Sequence, residues 1–241
     1  MLETPTAATM RLDGGHPALE LVNTIYAVVG GPVDFDVLVT PDDLATFAAR
    51  VGVAGETFAP TDAAVRAAVE LRESLDPLLR AHLVARDDAA DADDAAGGDG
   101  ADPARDDAAG RGDTGADPAA RLPRATLPSR VWTSWGVAEV APAMAAFEAA
   151  VRRAQDAARL SPGYAWTWDD ADPLSPVHRL AHAADRLLTG EELALLRCCD
   201  ACCWLFLDRA GKGRKWCSMA DCGTEAKKRR YVEKRRRLRA R

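Results

Sequence analysis

The chain has 241 residues, enough for one large domain or two smaller ones, and it is 48% hydrophobic and 28% charged with a mean hydropathy of -0.20. No apolar run approaches the roughly 20 residues that span a bilayer, and Met1 to Thr6 carries neither the basic nor the apolar region of a secretory signal. These features exclude a membrane-embedded helix and point to the cytoplasm, where thiols stay reduced and clustered cysteines argue for metal or redox chemistry before disulfides.

In chain order, Asp13-Gly14-Gly15-His16-Pro17 reads as a turn, and Ala18 to Val22 reads as a strand or the start of a buried helix. Thr40 stands before Pro41-Asp42-Asp43, which predicts a capped helix through Leu44, Phe47 and Ala48 to about Gly52. Thr61 or Asp62 caps the next helix, whose stripe is Val65, Ala68, Val69, Arg72, Leu75, Leu79 and Leu83. Between Asp87 and Asp117 stand 11 Asp and 2 Arg among Ala and Gly. So little apolar mass cannot offset the entropy of ordering, so about 87–122 is expected to be a disordered acidic insertion. Order resumes near Val131. A helix is expected from Val137 towards Leu160, a strand at Tyr164–Trp168, and a helix from Ser175-Pro176 to Gly190.

All six cysteines lie in the last 44 residues. Cys199, Cys202, Cys217 and Cys222 are spaced C-x2-C-x14-C-x4-C, a pattern suited to one structural zinc ion held by four thiolates. Cys198 and Cys203 flank the first pair and are candidate substitutes. A redox C-x-x-C or a disulfide remains as the competing reading, although the βαβ context of a thioredoxin-type motif is absent. The intervening Trp204, Leu205, Phe206 and Trp216 supply a small core that needs the metal as a staple. The second pair leads into a helix start at Gly223-Thr224, an arrangement that resembles a treble-clef finger.

Charge is strongly divided. Arg209 to Arg241 holds 14 Lys/Arg and 3 Asp/Glu, net +11, which leaves 17 basic and 34 acidic residues elsewhere, net -17. A helix is predicted over 224–239, with Lys227, Arg230, Lys234 and Arg237 along one side, Lys228, Arg235 and Arg239 nearby, and Ala226, Tyr231 and Leu238 facing the domain. With Arg214 and Lys215, these cations form a candidate phosphate-binding patch.

The cysteine-rich motif, with Trp204 to Asp208, Trp216-Cys217-Ser218-Met219 and Cys222-Gly223, resembles the CGNR zinc-finger module. In that family the module follows an N-terminal ABATE domain, in a family named for stress-induced transcriptional regulation. Gly14 to Thr24 and Leu38 to Leu44 are similar to the opening of ABATE domains. The resemblance implies Cys199, Cys202, Cys217 and Cys222 as the zinc ligands and DNA as the partner. One departure stands out: the family tetrad Cys-Gly-Asn-Arg is here Cys222-Gly223-Thr224-Glu225. Glu225 either repels a phosphate that an Arg contacts in relatives or simply favours the positive helix start.

The expected architecture is therefore α+β: a mainly helical N-terminal domain with a few short strands (1–189), then a treble-clef-like finger with a basic helix (190–241). The leading function is a zinc-dependent, DNA-binding transcriptional regulator whose N-terminal domain senses a ligand or forms a homodimer. RNA binding is one alternative. Another is an interaction module whose basic tail docks an acidic partner such as the chain's own Asp-rich insertion. His16 and Asn23 are candidates to line an N-terminal pocket. His178 and His182 share a helix face but lack the Glu and third ligand of a zinc peptidase. With no P-loop, G-x-S-x-G or dinucleotide fingerprint, no enzyme is expected.

Overall fold

The computed structural model describes residues 5–27, 33–55, 57–96, 127–133, 136–202 and 204–239. The elements begin with α1 (Pro17–Val22), β1 (Ile25–Ala27), β2 (Val33–Asp36), α2 (Pro41–Arg50) and α3 (Asp62–Ala96). Then come β3 (Arg130–Thr133), β4 (Gly136–Glu139), α4 (Val140–Ala157), β5 (Arg159–Leu160), β6 (Trp166–Thr167) and α5 (Ser175–Thr189). A 3-10 turn at Glu191–Leu195 leads into β7 (Leu196–Cys198), β8 (Leu205–Leu207) and α6 (Cys222–Arg239). Consecutive strands pair antiparallel as separate two-stranded hairpins. The fold is α+β and mainly helical, as the sequence indicates.

The short segment at 17–22 is a helix. His16 accepts the Ala18 N–H through Nδ1 at 3.3 Å, and Pro17 supplies the fixed φ of a first turn. Thr40 closes a reciprocal capping box with Asp43. At the start of α3, Thr61 Oγ1 accepts the Ala64 N–H at 3.2 Å. The central α3 packs on α4 and α5, with α1 against both α3 and α5. One apolar core runs from Ala7 and Met10 through the helices to Leu196, Leu205 and Leu207.

Several boundaries differ from the sequence reading: α4 ends at Ala157 with Arg159–Leu160 paired in β5, the strand expected at Tyr164–Trp168 is Trp166–Thr167, and two further differences have a clear cause. First, α3 does not stop before Asp87 but continues to Ala96, into the stretch read as a disordered insertion. Alanine is the best helix former, and nucleation is already complete upstream, so the Ala residues carry the helix on although the interspersed Asp residues are weak formers. The rest of that insertion lies outside the described residues. Second, Val137 to Glu139 belongs to a hairpin rather than to α4, which begins at Val140. Val131, Trp132, Thr133 and Val137 are β-branched or aromatic and favour the pleated pair.

Arg72, placed by periodicity in the apolar stripe of α3, is indeed 1% exposed. Its guanidinium makes a forked pair with Asp36 at 2.7 and 2.8 Å and a third bond to Thr24 Oγ1 at 3.1 Å. This pair holds the β1–β2 hairpin to α3. Removing the acid strands a buried cation, so Asp36→Ala is expected to cost about 3 kcal/mol of stability, read as a lower midpoint in denaturant titration.

Glu20 on α1 is buried, with Oε1 accepting the Gly15 N–H at 2.9 Å. Burial pushes its pKa up to about 7, with Asp13 adding to the rise and the Gly15 and Gly14 N–H groups opposing it. The folded state therefore holds this proton more tightly than the unfolded chain does. Stability should fall as pH rises from about 4.5 to about 7 and then level off. Glu20→Gln keeps the acceptor and removes the charge. It should flatten that slope in pH-resolved thermal melts, whereas an unchanged slope would assign the titration elsewhere.

Candidate metal centre and basic helix

The β7–β8 hairpin carries the first cysteine pair in its connecting turn. Cys198 pairs with Leu205 in register, and the Cys199 N–H donates to the Trp204 carbonyl at 2.9 Å, which turns Cys199 and Cys202 to one side. The second pair brackets the entry to α6. Ser218 Oγ donates to Asp221 Oδ2 at 2.8 Å, and the Gly223 N–H donates to the Ser218 carbonyl at 2.9 Å. Cys222 is the first residue of α6. The halves meet where the Asp200 N–H donates to the Lys215 carbonyl at 3.0 Å. A knuckle in a hairpin facing a ligand at a helix start is a treble-clef arrangement.

The four sulfurs all lie within 4.8 Å of one another, and each cysteine is buried. Cys202 to Cys217 and Cys217 to Cys222 are both 3.6 Å, Sγ to Sγ. A tetrahedron with zinc–sulfur bonds of about 2.3 Å has edges of about 3.8 Å, so the spacing suits zinc. The electrostatics agree. Without a cation, the Cys199 thiol is pushed strongly down because Cys202 and Cys217 donate to it, while the Cys202 and Cys217 thiols are pushed far up by the same bonds and by burial. One thiolate forms at the expense of its neighbours, and only a bound cation lets all four ionise together. The chain thus builds a single structural zinc site from Cys199, Cys202, Cys217 and Cys222. Trp204, Phe206, Ala201 and Trp216 pack around it.

Cys198, the first candidate substitute, points elsewhere: its sulfur accepts from Arg80 Nη1 of α3 at 3.8 Å. Cys203, the second, lies outside the described residues.

One contributor comes from the far end of the chain and was missed by the sequence reading. Arg11 Nη2 reaches Cys222 Sγ at 3.8 Å and Cys217 Sγ at 3.9 Å. Its Nη1 pairs with Asp221 at 2.6 Å, and the guanidinium lies 5.3 Å from the Trp204 ring centre. Burial opposes its charge, but the bonds to Cys222 and Asp221 raise its pKa further. Arg11 therefore offsets part of the negative charge that four thiolates leave around a divalent ion. No motif spacing links residue 11 to residue 222; only the fold does.

The N-terminal pocket expected at His16 and Asn23 is replaced by a structural seam. His16 caps α1, and Asn23, 1% exposed, lends its side-chain amide to β8. Asn23 Nδ2 donates to the Leu205 carbonyl, and Asn23 Oδ1 accepts the Leu205 N–H, both at 2.9 Å. The Leu207 N–H donates to the Gly14 carbonyl at 3.0 Å, and Arg86 Nη1 donates to the Leu196 carbonyl at 2.8 Å. A concavity of about 460 Å³ lies instead between α4, β6 and α5, lined by Trp166, Trp168, His182 and Arg186 among others. His178 faces Asp172 at 3.5 Å.

The predicted cations separate into two groups. Arg214 is occupied internally: its N–H donates to Asp208 at 3.0 Å, its Nη2 donates to the Leu207 carbonyl at 3.2 Å, and its guanidinium stacks 4.6 Å from Phe206. Lys215 is exposed. On α6, Lys227, Lys228, Arg230, Arg235 and Arg237 are exposed, and Lys234 is a residue of the same helix. Arg230 lies 5.8 Å from the Trp216 ring, and Arg237 pairs with Glu233. The expected docking face of α6 is not one: Tyr231 is 61% and Leu238 64% exposed, and Ala226 alone of the three is half-buried. Among the described side chains of α6, Cys222 and Gly223 are the buried ones. A Cβ on Gly223 would sit 3.3 Å from Met219 Sδ, the end of a half-exposed flexible side chain. Thr224 Oγ1 donates to the Met219 carbonyl at 3.2 Å, and Glu225 stands 3.8 Å from Lys228.

Fold and site together define a helical N-terminal domain fused to a four-cysteine zinc finger. The chain belongs to the ABATE family, described as "Putative stress-induced transcription regulator", whose model matches residues 15–191; the CGNR zinc finger model matches 195–236. No curated protein matches the chain.

The purified chain should carry one zinc. Chelation or Cys217→Ser should release the second cysteine pair and the root of α6, read as a red shift of tryptophan emission from Trp204 and Trp216. The amides of Leu205 and Leu207, held by Asn23 and Gly14, should stay protected from hydrogen exchange. A metal-free chain with the same emission and chelator response as the native protein would refute the zinc assignment.

Proposed function

We propose that the chain is a cytoplasmic, DNA-binding transcriptional regulator of a stress response, acting by binding and not by catalysis. The observation that carries this reading is α6. Its 18 residues hold nine Lys/Arg against Glu225 and Glu233, and from Lys227 onward every described side chain is exposed. A helix so charged repels itself and has almost no tertiary contact to offset that repulsion. A polyanion supplies the missing counter-charge, and its condensed counterions are released when Lys and Arg replace them.

Each part of the finger then has a role. Zinc, when bound, neutralises and crosslinks the four thiolates. Cys217 and Cys222 fix where α6 starts, and Arg11 and Asp221 brace that root against the body. Glu225 pairs with Lys228 near the helix start and is remote from the distal cations, which supports the helix-start reading of the Thr224-Glu225 departure. RNA offers the same phosphate charge and is the second reading.

Binding of a duplex by the full chain should weaken steeply with salt. With five or six phosphate contacts, the slope of log affinity against log salt should be about -5. The triple variant Lys227→Ala, Lys228→Ala, Arg230→Ala should lower the slope by about three. Salt-independent binding, or no loss in the triple variant, would remove α6 as the contact; stronger binding of single-stranded RNA would favour the second reading.

A further inference from the structure

We infer that α6 enters the major groove of double-stranded DNA lengthwise, with Tyr231 and Leu238 towards the base edges and a row of cations against each strand. The inference rests on the nucleic-acid reading above and specifies the form of the partner.

The placement follows from helical geometry. Successive residues turn by about 100°. Tyr231 and Leu238, seven apart, share one line along α6. Lys227, Arg230, Lys234 and Arg237 form a row on one side of that line. Lys228, Arg235 and Arg239 form a second row on the other side. Arg229 and Arg236 lie at the back, next to the row that holds Glu233. A helix resting on one phosphate strand needs one cationic row. Two rows flanking a narrow central line match two phosphate walls with base edges between them.

Three structural observations support this arrangement. First, among the described residues Tyr231 and Leu238 remain 61% and 64% exposed, with the Arg235 guanidinium 5.7 Å from the Tyr231 ring centre. The groove floor offers thymine methyls and other base-edge surface in compensation. Second, the free part of α6, from Lys227 to Arg239, is about 19 Å long, and a helix about 10–12 Å across fits a major groove about 12 Å wide but not a minor groove of about 6 Å. Third, the chain outside 209–241 carries net -17, of which the 11 Asp and 2 Arg between Asp87 and Asp117 supply -9, so phosphate repels the rest of the chain and leaves α6 as the part that approaches. An anionic membrane would also attract the cations. However, a surface-bound helix buries a broad apolar face, and here that face is two residues wide along the line, with Val232 set apart beyond the second row.

The test uses the zinc-loaded full chain with a 20-base-pair duplex, single-stranded RNA of equal length, and anionic phospholipid vesicles. Three double variants sample the rows: Arg230→Ala with Arg237→Ala, Lys228→Ala with Arg235→Ala, and Arg229→Ala with Arg236→Ala. The first two should each weaken duplex binding about ten-fold at moderate salt and each lower the salt slope by about two, while the back-row pair should change affinity less than about three-fold. Methyl green, a major-groove occupant, should compete with the protein, and the minor-groove ligand distamycin should not.

Loss confined to one row, equal loss from all three, or competition by distamycin alone would overturn groove entry while leaving polyanion binding intact. If no pair of substitutions affects binding, or if the chain binds vesicles and neither nucleic acid, the nucleic-acid reading fails with it.

Discussion

Four buried thiolates cannot share so small a volume without a cation, and this constraint organises the C-terminal fifth of the protein. The hairpin turn, the loop at Ser218–Asp221 and the first turn of α6 have few apolar contacts of their own: Trp204, Phe206, Trp216 and Ala201 are the apolar mass around the metal. Their geometry follows from where Cys199, Cys202, Cys217 and Cys222 must stand to converge. Once they converge, the axis of α6 is set, because Cys222 is both the last ligand and the first residue of the helix.

The finger is nonetheless not a bead on a string. The α5 helix ends at Thr189, next to the boundary expected from the sequence, yet the packing crosses it. Leu196, Leu205 and Leu207 belong to the main core, and Asn23 pairs with Leu205 as a neighbouring strand would. Arg11 carries the coupling to the metal itself. The two halves of the finger therefore stand differently: the hairpin is bonded to the body through the main core, Asn23 and Gly14, and the second ligand pair is tied to it through the metal site and the Arg11–Asp221 ion pair.

What the sequence made legible is what depends on local spacing. The Thr40 cap, the Pro starts of α2 and α5, the stripe of α3 and the metal tetrad are all written in the spacing of residues along a short stretch of chain. The parts that were missed depend on approach through space. Arg11 meets Cys222 across 211 residues, and nothing in Met10-Arg11-Leu12 announces a thiolate partner. Asn23 was a candidate pocket residue with His16, whereas its actual partner is the backbone of a strand 182 residues away. Arg72 sat in an apolar stripe without explanation until the β1–β2 hairpin delivered Asp36. The face assigned to Tyr231 and Leu238 failed for a related reason: periodicity shows that two apolar residues share a line, but not whether a protein surface lies opposite.

That last error bears on function. An apolar pair on a highly charged helix is either a docking face or a contact held for a partner, and among the described residues the body does not lie against it. The charge division points the same way. An acidic body attached to a cationic helix would collapse onto it if the connection were slack, since opposite charges within a Debye length attract. Here the root of α6 is clamped by two cysteines, by the Arg11–Asp221 ion pair and by the Ser218–Asp221 turn, which holds the cations out in solvent. A rigid root thus keeps the helix available, and the acidity of the body disfavours any mode in which more than the helix approaches a polyanion.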